Sequence, residues 1–433
     1  MKKWLLVLFI VVAVSQVNAQ QKLTLADAIA ISLKNSYDIE LVRNQLAISN
    51  INNNPGVAGA LPTVNLNASD NEQIISINQK FPDANRNTQR NNVGSNILQM
   101  GVTGTMLLYN GNRVVTTQKR LAQLELLNKN VLNAQLQNTM AIVSVRYYEI
   151  VRQQELLKTI QKSIDVFQKR LDLLEARKEA GLANNADMYQ AKLDLNQQKQ
   201  ALQTQHLIIK QSKADLLQSM IQAPDSVIVI DDKIMIDKNL SLENIKGALP
   251  SNPDYLAAAT QITINQLIEK ETAALRMPSL RATTGFNLNS NKSAAGFILL
   301  NQSYGPFFGV NLSVPLYNGS AFKRQGQVAA INTRSAKLQQ ENLALTLETN
   351  AVKTFNAYTN ALAQLQTETD NYALSSQLLD LVMQKFELAE ATIIDVRQAQ
   401  QSFENAGYRL VNLQYTAKIA EIELNRLVSK LAL

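Results

Sequence analysis

The sequence predicts an α+β membrane protein. It is internally duplicated, with four transmembrane β-strands per chain in a barrel shared between chains, continued by long coiled-coil helices. Three observations carry this reading. The chain is written twice, two segments alternate apolar and small polar residues at period two, and the stretch 112–180 runs for nearly seventy residues without proline or glycine, with a long helical counterpart at 321–388.

The N-terminus places the chain outside the cytoplasm. Lys2 and Lys3 precede the apolar run Leu5 to Val14, and Val17-Asn18-Ala19 supplies a small residue before the cut, so 1–19 reads as a secretory signal peptide with the mature chain starting at Gln20. The run is too short to span about 30 Å of hydrocarbon as a helix. The 433 residues have no Cys, which removes disulfides, thiolate catalysis, cysteine metal sites and a lipidated N-terminus. Charged residues are only 18%, against about 25% in soluble proteins. The net +7 includes two leader lysines and forms no basic block, so no nucleic-acid partner is expected.

The duplication is visible residue by residue. Leu23-Thr24-Leu25 returns as Leu240-Ser241-Leu242, and Leu61-Pro62-Thr63-Val64 as Met277-Pro278-Ser279-Leu280. Leu108-Tyr109-Asn110-Gly111 returns as Leu316-Tyr317-Asn318-Gly319, and from there the offset stays at 208 residues, so that Asp187, Ala191 and Leu202 return as Asp395, Ala399 and Leu410. The first repeat covers 20–222, a connection 223–239, and the second repeat 240–433.

The strands set the environment. Phe308, Val310, Leu312, Val314 and Leu316 alternate with Gly309, Asn311, Ser313 and Pro315; Met100, Val102, Gly104, Met106 and Leu108 alternate with Gly101, Thr103 and Thr105. One apolar and one small polar face fits a membrane strand with lipid outside and water inside. Val102, Met106, Val310, Leu312 and Val314 are the expected lipid-facing residues. Strands are expected at about 97–109 and 306–318, with weaker partners at about 62–70 and 279–291; the Asn-rich 71–96 and the segment 292–305 read as polar loops. Four strands cannot close a barrel, and an open edge in lipid leaves backbone groups unpaired, so the barrel must be shared.

The long helices are expected over about 112–180 and 321–388. In the first, Met140, Val143, Tyr147, Ile150, Leu157, Ile160, Ile164, Phe167, Leu171 and Leu174 follow a heptad seam with one polar gap at Gln153. Tips at 181–187 and 389–395 lead into return helices 188–222 and 396–430. Helices at roughly 24–60 and 241–276 supply the remaining half-lengths. His206, the only histidine, is expected to pack on the Leu202/Ile209 side. No catalytic constellation, zinc motif or P-loop is present, so neither an enzyme nor a metal or cofactor site is expected.

These features resemble the TolC-like outer-membrane efflux family. Leu240-Ser241-Leu242 with Asn252-Pro253 matches the family's helix start, where the first copy has Asn35-Ser36 without the proline. Both copies keep Leu-Tyr-Asn-Gly, and the tips match as Gly181-Leu182 before Asp187 and as Ala389 to Asp395, with alanine in place of the glycine. The resemblance implies a homotrimer whose three sets of strands make one barrel above a helical tunnel. It implies a passive duct between a periplasmic adaptor (membrane fusion) protein, an inner-membrane pump of RND, ABC or MFS type, and the exterior, in contact with outer-membrane lipid. Asp187, Asp395 and Arg397 are the expected aperture or gate residues; Gln398 stands where members often carry a second acid. Gly181, Leu182, Ala389 and Thr392 are the expected adaptor-contacting tip turns. A periplasmic coiled-coil adaptor or structural protein without a membrane barrel is the alternative reading.

Overall fold

The computed structural model describes residues 22–181, 184–294 and 298–431; the leader peptide and Leu182 lie outside them. The elements in chain order are α1 (Leu25–Asn35), α2 (Tyr37–Asn52), β1 (Thr63–Gln79), β2 (Thr88–Tyr109), α3 (Arg113–Glu179), α4 (Asn185–Ser219), α5 (Leu242–Ala248), α6 (Pro253–Ala274), β3 (Ser279–Ser293), β4 (Leu300–Ser313), α7 (Ala321–Glu387) and α8 (Ile393–Leu427). The chain divides into two compact units. One comprises Asn44–Lys129 and Ala257–Glu341; the other comprises the residues up to Arg43, Asn130–Leu256 and those from Asn342 on.

The duplication extends to backbone conformation. α3 and α7 are 67 residues each, and α4 and α8 are 35 each. Left-handed residues recur at the 208-residue offset: Gly111 and Gly319, Asn112 and Ser320, Gly181 and Ala389, Ile221 and Ser429. At 1.5 Å per residue each long helix measures about 100 Å. With no Pro or Gly inside it, α3 loses no hydrogen bond along that length.

The sheet lies within the first-named unit. Its order is β1-β2-β3-β4, antiparallel throughout, so β1 and β4 are its edges. Leu66, Val102, Phe286 and Pro306 share one cross-strand row; Ala68, Met100, Leu288 and Tyr304 form a row further from the helices. These rows belong to an apolar, exposed face. Beyond them the same face turns polar, and Asn96 Nδ2 donates to Asp70 (2.5 Å) and Glu72 (2.7 Å). A bulge between Leu107 and Tyr109 sets Tyr109 opposite Leu280, which pairs with Leu312. Tyr109 and Tyr304 thus border the apolar band. The eight residue steps from Tyr304 to Leu312 rise about 27 Å along the strand, which after tilting approaches the roughly 25 Å apolar band of outer-membrane barrels.

The strand boundaries differ from the sequence reading. β1 runs on to Gln79 rather than stopping at 70, and β2 begins at Thr88 rather than 97, so most of the expected loop 71–96 is a paired hairpin. Above the apolar band both faces carry polar residues, so strand pairing continues without the alternation that advertises it. β4 occupies Leu300–Ser313 instead of 306–318. Pro315 has no N–H for the ladder, and Val314 therefore lies just past the last strand residue.

The helices at 24–60 and 241–276 are broken rather than continuous. The break falls at Ser36 in one and at Leu249–Asn252 in the other. Ser36 Oγ accepts from Ile39 N (3.4 Å), and Asn252 Oδ1 accepts from Asp254 N (2.9 Å), so each break residue caps the next helix. Each break is tied to the end of a return helix: Ser32 Oγ donates to Ser219 O (2.8 Å), Asn252 Nδ2 to Leu427 O (2.9 Å). Those carbonyls have no intrahelical partner, and these donors satisfy them.

The second unit holds three apolar clusters. One packs Leu23 and Ile29 with Tyr147, Leu216 and Ile228; another packs Ile245 with Ala351, Tyr358 and Leu424. The third unites all four tip helices. The Gln153 gap is filled by Gln205, whose Nε2 donates to the Gln153 carbonyl (2.9 Å) and side chain (2.6 Å). His206, next to it, is exposed, contrary to the packed position expected of it. Ile209 is buried as expected, but in this part of α4 it shares the buried side with Gln205 rather than His206.

Candidate functional site: the helical tips and the two-faced sheet

At the tips α3 meets α4, and α7 meets α8. The shared core is formed by Phe167, Leu171 and Leu174 of α3, Met188 and Leu195 of α4, Leu379, Met383 and Phe386 of α7, and Val396 and Phe403 of α8. The chain leaves α3 through Gly181 (φ +76) and α7 through Ala389 (φ +63). Glycine takes this conformation freely, whereas alanine is strained there.

Both aspartates sit at the third helical position rather than at the N-cap. Asn184 caps α4, its Oδ1 accepting from Asp187 N at 2.8 Å. Thr392 caps α8 in a reciprocal box: Asp395 N donates to Thr392 Oγ1 (3.2 Å), while Asp395 Oδ2 accepts from Thr392 N (2.8 Å) and Oγ1 (2.7 Å). The Thr392 hydroxyl and then its backbone N–H hold the Asp395 carboxyl below its ordinary value. Asp395, Arg397 and Gln398 are exposed, and Asp187 is half-buried.

Arg397 pairs with neither tip aspartate. Its Nη2 donates to Asp194 Oδ2 at 3.0 Å, two turns into α4. The same oxygen accepts from Arg170 Nη2 at 2.7 Å, and Asp194 Oδ1 accepts from Gln190 at 2.8 Å. Arg170 of α3 is fully buried; its Nη1 donates to Gln400 of α8 (2.9 Å), and its guanidinium lies over the Phe167 ring at 4.9 Å. One carboxylate therefore binds α3, α4 and α8 together. Burial acts to raise the Asp194 carboxyl, but the bonds from Gln190, Arg170 and Arg397 outweigh it and leave it below its ordinary value. Arg177 adds a second tie, stacking on Phe386 at 4.4 Å and donating to its carbonyl. The cation sits at the C-terminal end of α7, where the helix dipole favours it.

The sequence reading missed Arg170, Asp194 and Gln400. Arg170 held a signal: it lies between Phe167 and Leu174 in the seam, where a cation demands a partner. Asp194 lies one heptad beyond Asp187 on the same helix, in phase with it. Of the strand residues, Val102 and Met106 share the apolar exposed face with Val310 and Leu312. Asn311 lies on the opposite face. No group of His, Asp and Glu that could hold a metal occurs among the described residues.

Residues 244–429 match the family model described as outer membrane efflux protein. The chain is similar to the outer membrane protein TolC of Vibrio cholerae, 24% identical over 357 residues that cover 78% of each chain. Its fold is that of solved outer-membrane proteins. The Vibrio cholerae VceC structure superposes with a TM-score of 0.79 at 18% identity, covering 93% of this chain and 95% of that one. The CmeC channel of Campylobacter jejuni gives 0.76 at 14% identity, covering 94% and 85%.

Proposed function

We propose that the chain is a TolC-like outer-membrane efflux protein with a large periplasmic helical part, and that three copies assemble into the passive duct of a tripartite efflux or export system; the family-model match over 244–429 and the similarity to TolC support this reading. Its family is one of channels rather than enzymes, and the duct performs no chemistry of its own. The observation that carries the reading is the sheet: four strands, two unpaired edges and one exposed apolar face. An edge in hydrocarbon costs several kcal/mol per unpaired group. Pairing β4 of one copy with β1 of the next removes both edges, and three copies close a barrel with an even strand number.

In this assembly Val102, Met106, Val310 and Leu312 face lipid and Asn311 faces the lumen. Arginine on the lipid face near the midplane costs roughly 2–4 kcal/mol. Phe308→Arg, midway between the Tyr304 and Leu312 rows, abolishes most of the trimer recovered from outer membranes, whereas Asn311→Arg on the other face assembles near the wild-type level. Equal trimer yields on unheated gels overturn the assignment.

At the tips, Asp187 and Asp395 form two sets of three carboxylates around the periplasmic opening, which favours cations. Gly181, Leu182, Ala389 and Thr392 are the turns presented to a periplasmic adaptor, which connects the duct to an inner-membrane pump of RND, ABC or MFS type. Asp395→Asn lowers cation preference in planar-bilayer recordings. Wild-type selectivity in that variant removes Asp395 from the aperture.

A further inference from the structure

We infer that Arg281 selects for anions inside the barrel; the inference rests on the duct reading above. The register fixes which residues share the polar face. From Thr63 to Gln73, Ser95 to Leu107, Arg281 to Ser293 and Asn301 to Ser313, every second residue lies on it. All of these are Asn, Gln, Ser, Thr, Gly, Ile, Leu or Phe, with one exception, Arg281. The face is also kept low and open at its middle. Gly285 lies beneath Phe307, and a Cβ there would stand 2.1 Å from the Val102 carbonyl and 2.9 Å from the Phe307 ring.

Arg281 is exposed, sits opposite Asn311 on one side and Leu107 on the other, and forms no salt bridge among the described residues. Glu271, ten residues earlier, is bound by Arg120 at 2.8 Å. The unit around the sheet is itself basic. Its two segments hold 15 Lys and Arg against 7 Asp and Glu, a net +8, while the rest of the chain holds 27 against 28. A mobile anion on the polar face thus meets a fixed cation and no fixed carboxylate.

Three copies set three such cations around one lumen, at the helix-side end of the strands. Strands about 4.8 Å apart and tilted about 40° place the wall of a three-sheet barrel roughly 12 Å from its axis. That is close to the Debye length of about 10 Å at 0.1 M salt, so the charges act across the whole lumen. Rings of Arg or Lys favour anions in pores. The class of solute favoured at this level is a small anion or an anionic organic molecule.

The test is the reversal potential of the full-length trimer in a planar bilayer under a KCl gradient, at about 0.1 M on the dilute side. Arg281→Gln lowers the anion-to-cation permeability ratio roughly two- to fourfold, from three charges about 10 Å away in screened water. Arg281→Lys leaves the ratio unchanged. Asn311→Asp, which keeps the arginine and adds a carboxylate beside it, shifts the ratio in the same direction as Arg281→Gln. Lys292→Gln removes an equal charge from the other face and leaves the ratio alone. The shift fades near 1 M salt, where screening falls to about 3 Å. Conducting Arg281→Gln and Asn311→Asp channels with wild-type ratios overturn the inference, as does an equal shift in Lys292→Gln. Wild-type protein that forms no channel overturns the duct reading itself.

Discussion

The two tips of this chain have the same length, the same turn position and the same aspartate, yet they are stabilised differently. The first leaves its long helix through Gly181 and starts its return helix on a one-way Asn184 cap. The second leaves through a strained Ala389 and starts on a reciprocal Thr392–Asp395 box. Strain on one side of the second turn is thus offset by a stronger cap on the other. Duplicated backbones can keep a geometry while exchanging the residues that enforce it.

What the tips share is Asp194, and removing it gives the largest expected effect. Asp194→Ala strands the fully buried Arg170 and costs about 3 kcal/mol, the low end for breaking a buried pair because Arg397 approaches from solvent. The unfolding midpoint of purified protein reads it, and an effect below that of a cap mutation means the pair is dispensable. The same carboxylate gives a pH dependence. Its folded value is depressed below the ordinary 3.8, so its contribution is complete above that value and is lost as pH falls below 3.8 through the folded one. A Tyr189→Trp reporter follows the tip through that window, since the one native Trp, Trp4, falls in the expected leader and is absent from a mature chain starting at Gln20.

The caps come next. Thr392→Ala costs about 1 kcal/mol or slightly more, since it also releases Asp395, and Asn184→Ala costs somewhat less than Thr392→Ala. Equal losses indicate that the reciprocal bond adds nothing. The smallest effect is an exchange: Ala389→Gly stabilises by about 0.5–1 kcal/mol while Gly181→Ala destabilises by a similar amount. The same sign for both means that the two turns do not share the left-handed geometry.

Much of this was legible in the sequence because periodicity and duplication are long-range signals. Phe308 to Leu312 announced a two-faced strand, and the seam from Met140 to Leu174 announced the long helix. The upper hairpin was not legible, because Asn71 to Asn96 faces water on both sides and water imposes no alternation. The breaks at Ser36 and Asn252 were hidden because their purpose lies elsewhere, in the end carbonyls of the return helices. The partner of Arg397 was not legible either. Asp395 is already bound by its own cap, and the free acceptor lies two turns along α4, which spacing alone does not reveal.

The equality of 67 with 67 and 35 with 35 residues has an evolutionary consequence. Inserting one residue in a helix rotates everything beyond it by about 100° and advances it by 1.5 Å. In α3 that would turn the seam away from α4 and carry Arg170 out of reach of both Asp194 and Gln400. A lineage can therefore lengthen or shorten this protein only by whole heptads, added or lost at matching levels in descending and returning helices of both copies. Single-codon gaps should gather in the polar hairpin between β1 and β2, where no second copy keeps count.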